Sequence, residues 1–312
     1  MGTFSNFAFT YLNSILPFTL AKLHSKTENI VNKIVVAVLA GAALLAGSSC
    51  HRNPITGRSQ LTLVSEKQVQ ALALTEYQKF LSSNKVVPAT NADGEMVKRV
   101  GRRIADAIGQ YYSDHGAPDA LNGYTWEFNL VESKEINAWC MPGGKVVVYT
   151  GLLPVTRNET ALAIVLGHEI THAVAGHGRE RMSNQLLAQG IGIVGDVALG
   201  GNPATSDVFN QVYAPTAEVA VILPYSRKYE YEADHYGLIF AAMAGYDPRE
   251  AIPFWQRMAA LGGQKPPILL SDHPADSSRI QKLQDLMPEA LTYYKPDSTS
   301  KRDSTYKPDA AR

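Results

Sequence analysis

Residues 160–178 read TALAIVLGHEITHAVAGHG, and the fold is decided by how that stretch is satisfied. Its first half is almost wholly apolar, which describes a helix buried on all sides. Such a helix carries two histidines and a glutamate only if groups inside the protein partner them. His168 and His172 are four residues apart, so on an α-helix they stack one turn apart on one face, with Glu169 beside them. Both imidazoles then reach a single metal ion. The T-x-x-E spacing of Thr156 and Glu159 reads as a capping box that starts the helix, and Gly176 and Gly178 read as its end.

The residue types set the chemistry. Zinc held by three protein ligands keeps a position for water and lowers the pKa of that water to about 7, and an adjacent carboxylate can take its proton as a carbonyl is attacked. HExxH in this setting implies peptide hydrolysis. A third ligand must come from elsewhere. A ligand further along the same segment would need a glycine at position 175 and a histidine at 178, whereas the chain has Ala175 and Gly178. His177 lies five residues beyond His172, about 140° round a continuous helix, and reads as structural. The alternative is a glutamate on a second helix, and SRKYEYEADHYG (226–237) offers one, with Glu230 and Asp234 again at i and i+4.

Together with NAWCMPGG (137–144) and the strand after it, and DHPADSSRI (272–280), these stretches resemble the HExxH/ExxxD zinc metallopeptidases, the gluzincin family of the CAAX prenyl endopeptidases, HtpX, BepA and LoiP. The resemblance spans about residues 53–290 and is nearest the periplasmic lipoprotein type. It implies a mainly α (α+β) zincin-like domain with one Zn2+ per chain, held by His168, His172 and Glu230, with Glu169 as general base. Asp234 is expected to support a ligand histidine, and Glu232, two residues along from Glu230, to face away. The strand beside the metal is expected to hold extended or unfolded polypeptide as an added strand, which makes Asn137, Gly143 and Gly144 candidate substrate contacts. Arg279 is expected to support the site. His273 precedes a proline and so sits in an extended or turn segment. Three roles are open to it: a latch on the fourth zinc position, a donor to the oxyanion, or a helix-start residue that packs.

The rest of the chain frames this domain. Its 312 residues balance 29 basic against 29 acidic side chains, which excludes the electrostatic footprint of a nucleic-acid binder. Residues 33–50 read KIVVAVLAGAALLAGSSC, a basic residue, an apolar run and small residues before Cys50. This is the pattern of a signal peptide (33–49), and Cys50 is a candidate lipidation site that gives membrane attachment through a lipid anchor. The location expected is the bacterial cell envelope, in the periplasm as an outer-membrane lipoprotein. Residues 1–32 are anomalous ahead of a signal, and a start at Val31 accounts for them. With two cysteines in the chain no disulfide framework forms, and Cys140 reads as a small apolar residue.

Residues 50–64 read as a linker, 65–290 as the peptidase domain and 291–312 as a polar disordered tail. Helices are expected from Ser65 to Leu81, Gly94 to Tyr111, Tyr229 to Ala244 and Ser277 to Met287. WEFNLV (126–131) and KVVVYT (145–150) read as strands, with PGG as the turn between them. The Gly-, Ala- and Val-rich stretch 186–224 reads as a helical excursion over the cleft or, equally, as an interfacial or partner-binding patch. His235 reads as structural. The function expected is quality control of unfolded or misassembled envelope proteins, and the competing reading is a noncatalytic envelope chaperone or assembly factor that keeps the fold.

Overall fold

A computed structural model gives the conformation of residues 50–88, 90–188, 203–213, 227–262, 269, 270, 273 and 277–296. The signal-like segment, the proposed start at Val31, most of 186–224 and the end of the tail lie outside the described residues. The chain divides into Met1–His51 and Arg52–Arg312, and every described helix belongs to the second unit.

Short strands β1 (Cys50–Arg52) and β2 (Ser59–Leu61) precede helix α1 (Glu66–Ser83), which Ser65 and Gln68 start with a reciprocal capping box. Helix α2 (Ala92–Asp114) is capped by Asn91 and buries the expected stripe of Val97, Val100, Ile104 and Ile108. The sheet comes next: β3 (Glu127–Val131), β4 (Ala138–Met141) and β5 (Lys145–Tyr149), in spatial order β3-β5-β4. All five residues of β5 are buried, as a central strand with both faces covered requires. Alternate residues of β5 enter different cores, with Val146 and Val148 on one side and Val147 and Tyr149 on the other.

The turn expected between 126–131 and 145–150 is not formed. β3 and β5 run parallel, and the glycine turn joins β4 to β5 as an antiparallel pair. AWCM lacks the β-branched alternation that marks its neighbours, so β4 is not legible as a strand in the sequence. Gly143 and Gly144 form the turn with φ of +83° and +82°, a region that costs other residues but not glycine.

After a short helix α3 (Leu153–Thr156) comes the metal-motif helix α4 (Glu159–Val174). Its cap is Asn158, whose side chain accepts from the Ala161 amide at 2.7 Å. Thr156 instead bonds back to the Leu153 carbonyl and closes α3, because Arg157 adopts a left-handed conformation and breaks the chain between the two. Residues Thr160–Ala173 are all buried, so α4 is a core helix. Gly176 ends that helix at φ +67°, whereas Gly178 lies inside α5 (His177–Ala188). Helix α6 (Pro203–Tyr213) packs on α5. Helix α7 (Arg227–Met243) packs along α4, and α8 (Ala251–Ala260) and α9 (Ser277–Tyr293) complete that layer.

Glycines bring α4 and α7 into backbone contact. A Cβ on Gly167 would lie 2.6 Å from the Gly237 carbonyl oxygen, and one on Gly237 would lie 2.9 Å from the His168 amide. The crossing therefore sets the ligands of the two helices against each other. No helix among the described residues is long and apolar enough to cross a membrane.

Candidate metal centre

His168, His172, Glu230 and His273 each point a donor atom into one buried group, all within 4.8 Å of one another. His168 and His172 come from one face of α4, Glu230 from the first turn of α7, and His273 from the segment before α9. The Nε2 atoms of His168 and His172 are 3.1 Å apart, and His273 Nδ1 is 3.1 Å from His168 Nε2. Glu230 lies 2.9 Å from His273 Nδ1, 3.4 Å from His172 Nε2 and 3.5 Å from His168 Nε2. Four ligands about 2.05 Å from a tetrahedral zinc stand roughly 3.3 Å from one another, so these separations fit that ion. Glu169 is buried beside the group, with Oε1 3.5 Å from His273 Nε2.

Electrostatics favour a cation at this point. Burial lowers the pKa of His168, and of His172 far more, so both are held as neutral imidazoles with a lone pair to give. Burial pushes the Glu230 carboxyl up, but His273, His172 and His168 outweigh it and hold it well below its ordinary value. At His273 burial works against the charge, yet Glu230 and Glu169 on either side raise it to about 9. The carboxylates that keep a proton there are placed to keep a metal ion.

Asp234 stands behind His168, with Oδ1 3.0 Å from Nδ1, and so fixes which ring nitrogen faces the metal. Its carboxyl is pushed up by burial and pulled down more strongly by Arg279 and then His168. Arg279 grips Asp234 through Nε at 2.9 Å and Nη2 at 2.6 Å, and donates from Nη1 to the His273 carbonyl at 3.1 Å. Its guanidinium lies 3.4 Å over the Trp255 ring. Arg279 thus ties the Asp234 support to the loop that carries His273.

His177 stands outside the metal donors, in keeping with a structural role, but it meets one of them: its Nδ1 lies 3.0 Å from Nδ1 of the ligand His172. Projecting it along a continuous helix fails because α4 stops at Val174 and the Gly176 break turns the chain back. Glu232 faces away from the metal donors, as expected, and is buried. It is 2.9 Å from His177 Nε2 and is also held by Arg58. The stretch that reads as a linker is folded onto the centre. Asn53 Nδ2 and Gln60 Nε2 each donate at 2.8 Å to the Ala175 carbonyl, which the end of α4 leaves free. Reading Arg58, Asn53 and Gln60 as site residues requires knowing that this segment returns to α4, which no local pattern reveals.

The remaining candidates have other surroundings. Asn137 is buried at the start of β4, and its Oδ1 accepts from the Ala138 amide. The carbonyls of Gly143 and Gly144 accept from the Thr125 and Glu127 amides, so the turn is occupied within the fold. β4 lies against α4, pairs with β5 on one side, and pairs with no strand on the other among the described residues. Burial pushes the Cys140 thiol well above its ordinary value, as fits an inert residue. His235 points away from the metal group and meets Glu289 at 2.7 Å.

A buried HExxH helix crossed by a second helix that supplies a glutamate, next to a strand that pairs on one side only among the described residues, defines a zincin-type metallopeptidase. Comparison with known proteins makes the assignment specific. The profile of peptidase family M48 matches residues 92–287, and the chain belongs to that family. It is 30% identical over 258 residues to the mitochondrial metalloendopeptidase OMA1 of Schizosaccharomyces pombe, covering 81% of this chain and 71% of that one. Human OMA1 is 32% identical over 246 residues, 77% of this chain, which spans 46% of the human protein. The metalloprotease LoiP of Escherichia coli is 27% identical over 225 residues, 72% of this chain and 82% of LoiP. The chain is accordingly a zinc metalloendopeptidase of the HExxH type.

Proposed function

We propose that the chain cleaves unfolded or misassembled proteins of the cell envelope, using one zinc per chain. The observation that supports the substrate class is the edge of β4 beside the metal helix that pairs with no strand among the described residues. An edge strand binds through backbone hydrogen bonds that ignore side-chain identity, and it accepts a partner only if that partner is extended. The envelope location rests on the export-like segment 33–50, with Cys50 as the anchored residue. The relatives come from two settings, mitochondria by the names of the OMA1 proteins and Escherichia coli for LoiP.

Zinc bound by His168, His172 and Glu230 supplies a Lewis acid that lowers the pKa of water and polarises the scissile carbonyl. Glu169 accepts the proton of the attacking water on its carboxylate and delivers it to the leaving amine. Asp234 and Arg279 keep His168 oriented while this happens. His273 would act as a latch: its Nδ1 lies 3.1 Å from His168 Nε2 and 2.9 Å from Glu230, so in this position it would stand where a water has to enter and would have to move aside. A noncatalytic chaperone would use the same edge strand, but it has no need of the intact set of His168, Glu169, His172 and Glu230. The substrate reading is tested by offering the purified protein denatured casein and a compact folded protein. Chelator-sensitive cleavage of the first alone is the expected result, and equal cleavage of both would overturn it.

A further inference from the structure

Each ligand histidine has a second ring nitrogen, and the structure partners the two differently. His168 Nδ1 meets the Asp234 carboxylate directly, at 3.0 Å. His172 Nδ1 meets another imidazole, Nδ1 of His177, at 3.0 Å, and His177 Nε2 lies 2.9 Å from Glu232 Oε2. Arg58 donates from Nε to Glu232 Oε1 at 2.8 Å and from Nη1 to Glu180 Oε1 at 2.6 Å.

Proton counting allows one arrangement along this line when zinc is bound. His172 offers its Nε2 lone pair to the metal, so its proton sits on Nδ1. That N–H donates to His177 Nδ1, which must be bare. His177 therefore carries its proton on Nε2 and donates it to Glu232, whose charge Arg58 balances.

We propose that His177 and Glu232 are positioning residues of the metal centre, a relay through which Arg58 and the segment 52–61 hold His172 ready for zinc. Both ligand histidines are then backed by a carboxylate that an arginine fixes, one directly and one through an intervening imidazole. A carboxylate behind a ligand histidine fixes the ring and raises its basicity. His177 is fully buried, with both nitrogens bonded in line. Its ring also stacks on Tyr229 with centroids 4.7 Å apart, a contact that does not itself require a histidine, whereas the two bonded nitrogens do. The same segment fixes the break that aims His177: Asn53 and Gln60 both donate to the Ala175 carbonyl, one residue before Gly176.

The relay rests on His168, His172 and Glu230 holding zinc, and the test separates the two claims. Zinc affinity is measured by competition with a chromophoric chelator in the wild type, His177→Phe, Glu232→Gln and the double variant, alongside thermal unfolding of each metal-stripped protein and visible spectra of each cobalt-loaded one. His177→Phe is expected to bind zinc roughly 10–100-fold more weakly. Glu232→Gln should move the same way by less, and the double variant should be no weaker than His177→Phe alone, because the residues act in series. A cobalt spectrum shifted in His177→Phe is the matching signature at the metal. Wild type that binds no zinc overturns both the ligand assignment and the relay. Zinc bound by wild type with unchanged affinity in both single variants overturns the relay alone, and leaves His177 with a purely packing role. If His177→Phe does not fold, nitrogen-15 spectra of the histidines in zinc-loaded wild type decide the matter: a proton on His177 Nε2 only is expected, and a proton on Nδ1 contradicts the relay.

Discussion

At the scale of single residues, the centre is a group of donor side chains backed by others that hold them, Asp234 and Arg279 behind His168 and His177 beside His172. His168, Glu169 and His172 declare themselves because charged groups on an otherwise apolar helix need a partner. Glu230 needs the resemblance to choose it from the acidic residues of YEYEAD. The partners of His177 and Glu232 escape the sequence because Gly176 breaks the helix that a projection assumes unbroken, and because Arg58 arrives from about 170 residues earlier in the chain. At His273 the proposed latch rests on its Nδ1 lying close to the other donor atoms. Replacing it, His273→Ala, should therefore raise basal peptide hydrolysis at equal zinc content. A rise on the order of tenfold corresponds to a latched state favoured by about 1.4 kcal/mol. Hydrolysis no higher than wild type at equal zinc would remove the latch.

At the scale of elements, the centre exists because α4 and α7 touch backbone to backbone at Gly167 and Gly237. Helix spans are largely readable from period and caps: α2 extends the expected helix by a turn at most, and α7 agrees to within two residues. The pairing of the strands is not, since parallel contact between β3 and β5 is a property of the whole sheet. Nor is the glycine crossing, since a glycine inside a helix pattern does not reveal what approaches it. Gly237→Ala should cost about 1–3 kcal/mol of stability by forcing the helices apart. Its Cβ would press on the His168 amide, so zinc content should fall as well. Urea unfolding with metal analysis measures both, and a variant that equals wild type in each would show that the crossing is not tight.

At the scale of the whole molecule, the segment 52–61 is held against the end of the metal helix by Asn53 and Gln60. Expectation and structure differ here because Asn53, Arg58 and Gln60 read as ordinary polar loop residues until their partners on α4, α5 and α7 are known. If Cys50 is acylated, Cys50→Ser should release the protein from the membrane fraction while hydrolysis persists, since each buried CH₂ of an acyl chain adds about 0.8 kcal/mol of membrane affinity. Unchanged fractionation would assign the anchoring to the apolar run itself. The central claim, that this domain hydrolyses peptide bonds through a zinc held by His168, His172 and Glu230 with Glu169 as base, is tested most directly by Glu169→Gln. Zinc per chain and casein hydrolysis are measured together on the variant and the wild type. The account expects one zinc in each and hydrolysis reduced by at least roughly 10²-fold in the variant. Hydrolysis retained at full zinc occupancy would contradict it.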